Sequence, residues 1–274
     1  MTPEHIALLT EVARVHAGLA LGNPSVFHLE TRLGALARRE GAVSVEALIE
    51  RLQAPGSEGG LARAVAEALA QPDTCFFRDR EVFHALKTRL IPALSQAKPG
   101  GEVRIWSAGC STGQEAYSLA LMGAAAPELA EIKLDILATD ISERALEKAA
   151  AGLYTQFEVQ RGLPIRLLIN HFERVDDNWR AAPRLRQAVR WGRVNLAADL
   201  SRAGPFDLIL CRNVLSSFEP AARERTLQAL IAAVGPNGVL MLGAKEAAAA
   251  PEGFEALRDA PGLFRRKTGR AKAA

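Results

Sequence analysis

Val103-Arg-Ile-Trp-Ser-Ala-Gly-Cys-Ser-Thr-Gly-Gln-Glu-Ala-Tyr117 decides the fold. A short apolar run ends at Gly109, and a helical pattern starts near Glu115. Small residues at such a strand-to-helix turn let backbone N–H groups approach a ligand closely. No Gly-Lys-Ser/Thr follows, so the turn is not a P-loop, and Gly109 and Gly113 are too far apart for G-x-G-x-x-G. That spacing argues against a dehydrogenase. The same unit recurs downstream. Leu134–Asp140 reads as a strand, Ser142 caps a helix over Glu143–Ala150, and Phe206–Cys211 is a third strand. A helix over Pro220–Val234 leads to a fourth strand, Gly238–Gly243. Alternating strands and helices predict an α/β fold with a mostly parallel sheet, which binds ligands at the carboxyl ends of its strands.

Upstream of residue 72 every periodic signal is helical. Ile6, Leu8, Leu9, Val12, Val15 and Leu19 recur at helical intervals; Ser25 and Ser44 stand as N-caps before further apolar faces, and a fourth helix falls near Leu61–Ala70. Residues 1–71 therefore read as a small helical N-terminal domain and 72–274 as the α/β domain. Between Gly152 and Asn195 the alternation stops, and eight arginines stand against four carboxylates. The region 152–195 reads as an inserted basic β-subdomain, with short strands around Trp179 and Ala188–Trp191.

The net charge of +3 on 274 residues is too small to be a nucleic-acid footprint, and no aromatic stacking run accompanies the arginines. Cys75, Cys110 and Cys211 lack zinc or disulfide spacing, so no metal is expected, and the cysteines read as small buried residues of a reducing compartment. The first ten residues lack the basic cluster of a secretory signal. The uncharged stretch 226–244 is broken by Gly235-Pro-Asn-Gly238, so no membrane insertion is expected. A cytoplasmic monomer is the expectation.

Asp140, ending the second strand, can accept both hydroxyls of a ribose. Glu115, inside the first helix, adds a second acid to the same rim. An acidic rim without a phosphate-binding lysine suits a cationic, nucleoside-containing ligand, a description that S-adenosylmethionine meets.

Thr74-Cys-Phe-Phe-Arg78, Ala108-Gly-Cys-Ser-Thr-Gly-Gln-Glu-Ala-Tyr-Ser118, Thr139-Asp-Ile-Ser142, Gly152-Leu-Tyr154, Val194-Asn-Leu196, Cys211-Arg-Asn-Val214 and Gly235-Pro-Asn-Gly-Val-Leu-Met-Leu-Gly243 occur in this order. The ordered set resembles the chemotaxis-receptor glutamate O-methyltransferases, the CheR family. The resemblance implies a Rossmann-like S-adenosylmethionine-dependent methyltransferase sheet, with a helical N-terminal domain and a small inserted β-subdomain. It implies S-adenosylmethionine as cofactor, S-adenosylhomocysteine as product, and glutamate side chains of chemoreceptors or a related signalling protein as acceptors. It also implies cofactor contacts at Thr74, Arg78, Ala108, Gly109, Glu115, Asp140, Asn195, Leu196, Arg212 and Asn213, with Arg78 also meeting the reacting carboxylate as the catalytic residue. Arg32, Arg38 and Arg39 would supply a basic face toward the substrate, or the Arg-rich insert would be the contact surface.

The sequence departs from the family pattern in places. Ser216-Ser217-Phe218 stands where the family has Ile-Tyr-Phe, Pro72 replaces an Asn, Gln114-Glu115-Ala116-Tyr117 replaces Glu-Glu-Pro-Tyr, and Gly243-Ala-Lys-Glu246 replaces a Gly-His-Ser-Glu-like end. Ser217 and Pro72 motivate a second reading, a signalling module that binds S-adenosylmethionine or S-adenosylhomocysteine with weak or no turnover.

Overall fold

The computed structural model describes residues 1–54, 59–70, 73–247, 250–257 and 261–267; Pro72 lies outside them. The chain forms two compact units, Met1–Gln71 with Leu215–Thr226, and Pro72–Val214 with Leu227–Ala274.

The first unit holds α1 (Pro3–Ala17), α2 (Val26–Arg39), α3 (Val45–Gln53) and α4 (Gly59–Leu69). Thr2, Ser25 and Ser44 accept the otherwise orphaned N–H groups of His5, His28 and Ala47, as N-caps do. Helix α4 packs on α1 and α2 and closes a core of Leu9, Leu29, Leu33, Val65 and Leu69. Residues 215–226, which the sequence reading placed in the α/β domain, belong to this unit. Leu19 bridges Phe218, and the Ala20 N–H donates to the Ser217 carbonyl at 2.8 Å.

In the second unit α5 (Arg80–Ala85), a wider helical turn (Leu86–Leu90) and α6 (Ile91–Gln96) precede β1 (Val103–Ala108). Then come α7 (Gln114–Ala125), β2 (Leu134–Asp140) and α8 (Glu143–Ala151), capped by Ser142. The following segment contains β3 (Leu153–Thr155), α9 (Gln156–Gln160), α10 (Ile165–His171), β4 (Phe172–Val175), β5 (Asn178–Ala181) and α11 (Pro183–Gln187). The chain continues with β6 (Val189–Arg193), β7 (Phe206–Cys211), α12 (Pro220–Ala233, of which only the part from Leu227 belongs to this unit), β8 (Val234–Leu242), β9 (Phe254–Ala256) and β10 (Leu263–Arg266).

The large sheet runs β6-β2-β1-β7-β8-β10-β9. Its first five strands are mutually parallel; β10 runs antiparallel to β8, and the edge strand β9 runs antiparallel to β10. Strands β1, β7 and β8 are almost wholly buried, as continuous apolar runs in a helix-covered parallel sheet must be. The chain passes from β1 to β2 on one side and reaches β7 on the other, so the strand order reverses at β1. A crevice opens at such a switch point, at the strands' carboxyl ends.

Two expectations need correction. Strands β3, β5 and β4 form a separate three-stranded antiparallel sheet, but Val189–Arg193 is not part of it. That segment pairs in parallel with β2 from Ile136↔Val189 to Asp140↔Arg193. The insert's own sheet therefore ends at Ala181. Nor does the last parallel strand begin at Gly238. Phe206 pairs with Val234 and Leu208 with Val239, so 235–238 form a bulge within one strand. Gly238 suits it, since a Cβ there would lie 2.9 Å from the Phe206 carbonyl oxygen. No helix among the described residues is long and apolar enough to cross a membrane.

Candidate active site at the carboxyl ends of the central strands

The turn after β1 is shaped by backbone demands. Gly109 has φ +76°, and a Cβ there would come within 2.5 Å of Val214 Cγ2. Gly113 has φ +92° at the start of α7, with the Trp191 ring 2.9 Å from where its Cβ would be. Both positions favour glycine for conformation and for space. The Thr139 carbonyl accepts the N–H groups of Gly109 and Cys110, tying the turn to the end of β2.

Asp140 completes that end. Its carboxylate accepts from the Ser111 N–H at 2.7 Å and the Ser142 N–H at 2.9 Å, leaving lone pairs for further donors. Burial pushes its pKa above the ordinary aspartate value, against the lowering effect of the backbone donors at Ser142, Ser111 and Ile141. Ser111 Oγ, on the same turn, is buried with no hydrogen-bond partner.

At the end of β7 Arg212 is almost fully enclosed, with its side chain 2% exposed. Its Nη1 donates to Glu115 Oε2 at 3.2 Å, and its Nη2 donates to the Arg78 carbonyl at 3.1 Å and to Asp79 Oδ2. Its guanidinium also lies 6.0 Å from the centre of the Phe83 ring. Glu115 takes a further bond from Ser107 Oγ at 2.8 Å. Asn213, at φ +61°, is held by Glu246 Oε2, which accepts the Asn213 N–H at 2.7 Å and the Gly243 N–H at 3.0 Å. After β6, Asn195 Oδ1 accepts the Ala197 N–H at 3.0 Å, and Leu196 is buried.

The segment carrying Thr74 and Arg78 is a tight turn in which Phe77 and Asp79 both take positive φ. Non-glycine residues hold that conformation only where the surroundings fix it. Here Ser118 Oγ accepts the Phe77 N–H at 2.9 Å, and Arg212 grips Asp79. Thr74 is half-buried, and Arg78 pairs with Asp73 at 3.2 Å.

Every residue expected at the cofactor thus lies in the second unit: Thr74 and Arg78 on the turn before α5, Glu115 in the first turn of α7, and the rest at or just after strand ends. The expected basic face lies in the first unit. There Arg32 Nη1 donates to the Leu69 carbonyl at 2.9 Å and so terminates α4, while Arg38 and Arg39 are exposed on the last turn of α2. Ser217 lies in the short turn Leu215–Ser217 of that unit. Sequence reasoning missed Asp79 and Glu246, which brace Arg212 and Asn213. Adjacency to Arg78 was the one available signal for Asp79, and for Glu246 it was the acid retained at the end of Gly243-Ala-Lys-Glu246. Cys110 and Cys211 are buried and their thiols are pushed well up by that burial, which suits packing and not nucleophilic use.

The residues fit a cationic nucleoside. Two glycines keep the turn clear, a half-buried carboxylate with spare lone pairs ends β2, an unpartnered hydroxyl stands beside it, and a second carboxylate lies on α7. A parallel sheet with this strand order and such a rim defines a Rossmann-like, S-adenosylmethionine-dependent methyltransferase. Residues 72–260 match the family described as "CheR methyltransferase, SAM binding domain". Chemotaxis protein methyltransferase 1 of Pseudomonas aeruginosa is 34% identical over 255 residues, covering 91% of this chain and 92% of that protein. Chemotaxis protein methyltransferase Cher2 of Pseudomonas putida is 32% identical over 253 residues, covering 90% of this chain and 92% of that protein. The chain belongs to the CheR methyltransferase family, and its cofactor is S-adenosylmethionine.

An Asp140→Ala variant is expected to bind S-adenosylmethionine at least tenfold more weakly, roughly 1.4 kcal/mol, as measured by calorimetry. Protonation removes the charge that makes Asp140 a strong acceptor. Wild-type affinity should therefore fall as pH drops through the raised pKa of Asp140, at a higher pH than for an ordinary aspartate. Asp140→Asn should lose that pH dependence. Unchanged affinity in Asp140→Ala would mean that Asp140 does not hold the cofactor.

Proposed function

We propose that this methyltransferase esterifies glutamate side chains of a chemoreceptor or a related signalling protein, with Arg78 directing the acceptor carboxylate. The observation that carries the reading is the position of Arg78. It sits on a turn braced through Asp79 and Arg212 to Glu115, the acid on the helix that follows β1. An acceptor glutamate is already ionised at neutral pH, its reference pKa being about 4.3, so no general base is needed. When bound, the cofactor supplies a methyl group on a sulfonium and departs as a neutral thioether. The chain's task is alignment and partial removal of water from the carboxylate. A guanidinium suits that task because its fork orients a carboxylate without taking its proton.

Asp140 would hold the ribose hydroxyls and Glu115 the amino group of the methionine part. Asn195 and Leu196 would border the adenine. Thr74, Ala108, Gly109 and Asn213 would line the remaining wall, and Arg212 would fix Glu115. Residues 1–71 would form the helical domain, with Arg38 and Arg39 on its substrate-facing side, and the insert's arginines would offer a second contact for the acidic partner. The three free cysteines favour a reducing cytoplasm, and a monomer is the simplest active form.

Calorimetry should give saturable binding of S-adenosylmethionine and S-adenosylhomocysteine. Radiolabelled methyl transfer to receptor membranes should then give a base-labile label. Binding without any such label would overturn the assignment.

A further inference from the structure

We propose that Arg161 and Gly162, on the turn that follows α9 in the insert, are positioning residues that hold Arg78 through Asp73. The proposal rests on the reading of Arg78 as the residue that directs the acceptor carboxylate.

Asp73 lies between two arginines. Its Oδ1 is 3.2 Å from Arg161 Nη2, and its Oδ2 is 3.2 Å from Arg78 Nη1, which also donates to the Asp73 carbonyl at 3.0 Å. One carboxylate thereby links the insert to the Arg78 guanidinium. The backbone makes a second link three residues on, where the Phe76 N–H donates to the Arg161 carbonyl at 3.2 Å. At Gly162, with φ +94°, a Cβ would stand 1.9 Å from the Phe76 carbonyl oxygen, so the two strands of chain touch there without a side chain between them. Phe76 itself is fully buried and meets the insert's Tyr154 and Phe172 edge-on, with ring centres 5.2 and 5.9 Å away.

The turn from Asp73 to Asp79 is thus gripped at both ends. The sheet domain holds its far end at Phe77 and Asp79, and the insert holds its near end at Asp73 and Phe76. Ordering the insert sharpens the aim of Arg78, and loosening it blurs that aim. The Arg161–Asp73 pair is solvent-facing, with side chains 46% and 58% exposed, so its loss costs little folding energy. Its effect should fall on geometry, and hence on turnover.

The test compares Arg161→Ala, Arg161→Lys, Asp73→Asn and Arg78→Ala. Each is measured for S-adenosylmethionine affinity by calorimetry, for thermal midpoint, and for kcat and KM of methyl transfer to receptor membranes. Arg161→Ala should lower kcat five- to tenfold, with cofactor affinity within twofold and an unchanged midpoint. Arg161→Lys should recover most of kcat, and the Arg161→Ala and Asp73→Asn losses should not add. Gly162→Ala should lower kcat further, but Arg161→Ala is the deciding variant because it leaves the backbone contact intact. An unchanged kcat in Arg161→Ala, or a loss matched by falling affinity and midpoint, overturns the proposal. If Arg78→Ala also transfers normally, it is the role of Arg78 that has failed; if Arg78→Ala is impaired and Arg161→Ala is not, only the positioning role has.

Discussion

Arg212→Ala should lose about 3–5 kcal/mol of stability in the sheet-bearing unit, the range for removing one partner of a buried ion pair. The guanidinium is the only part of this cluster that is almost completely enclosed. Glu115, with its side chain 14% exposed, and the more open Asp79 both depend on it for a countercharge. The alanine leaves two like charges facing each other across a small void, and the turn at Asp79 loses the grip that sustains its left-handed backbone. Trp106, Trp179 and Trp191, the three tryptophans of the chain, all lie in this unit. Tryptophan fluorescence in urea therefore follows its unfolding without interference from the helical unit. The midpoint should fall steeply with the slope preserved. Adding Glu115→Gln should restore part of the loss, because it removes the uncompensated buried charge. A loss below about 1 kcal/mol would mean that water reaches both carboxylates and that the cluster is not a buried one.

This cluster also shows where a sequence stops being informative. The parallel sheet was legible because each strand is a short apolar run punctuated by glycine or a capping residue. Phe206–Cys211 and Leu134–Asp140 match the observed strands residue for residue. Ser25, Ser44 and Ser142 marked their helix starts because a cap is a local interaction, spanning three residues. Partners distant in the chain left no such trace. Arg212 meets Asp79 across 133 residues, and nothing in the local pattern around either predicts the pair. Val189–Arg193 has the composition of a basic insert strand, like its neighbours, yet it completes the edge of the large sheet, because the parallel register with β2 buries Val189. The Gly235–Gly238 stretch looked like a turn between elements and proved to be a bulge inside one, since a bulge and a turn use the same residues.

Arg78→Ala should lower kcat for methyl transfer about a hundredfold, the cost expected when a reacting group is misplaced by about 1 Å. Folding should barely change. The Arg78 side chain is 30% exposed and its ion pair with Asp73 is a surface contact, worth about 0.2–1 kcal/mol at most. Its carbonyl, which Arg212 uses, survives the substitution. The turn should therefore stay in place while its side chain is lost, which separates chemistry from architecture more cleanly than any change at Arg212 does. Arg78→Lys should fall between wild type and alanine, because an ammonium keeps the charge but not the fork that fixes a carboxylate's plane. The effect should appear in kcat more than in KM if the guanidinium acts on alignment and not on docking of the whole partner. Steady-state transfer to receptor membranes, with calorimetry confirming that each variant still takes up the cofactor, gives the comparison. A folded, cofactor-loaded Arg78→Ala enzyme that methylates at the wild-type rate would remove Arg78 from the reaction and leave the acceptor carboxylate to be oriented by another group.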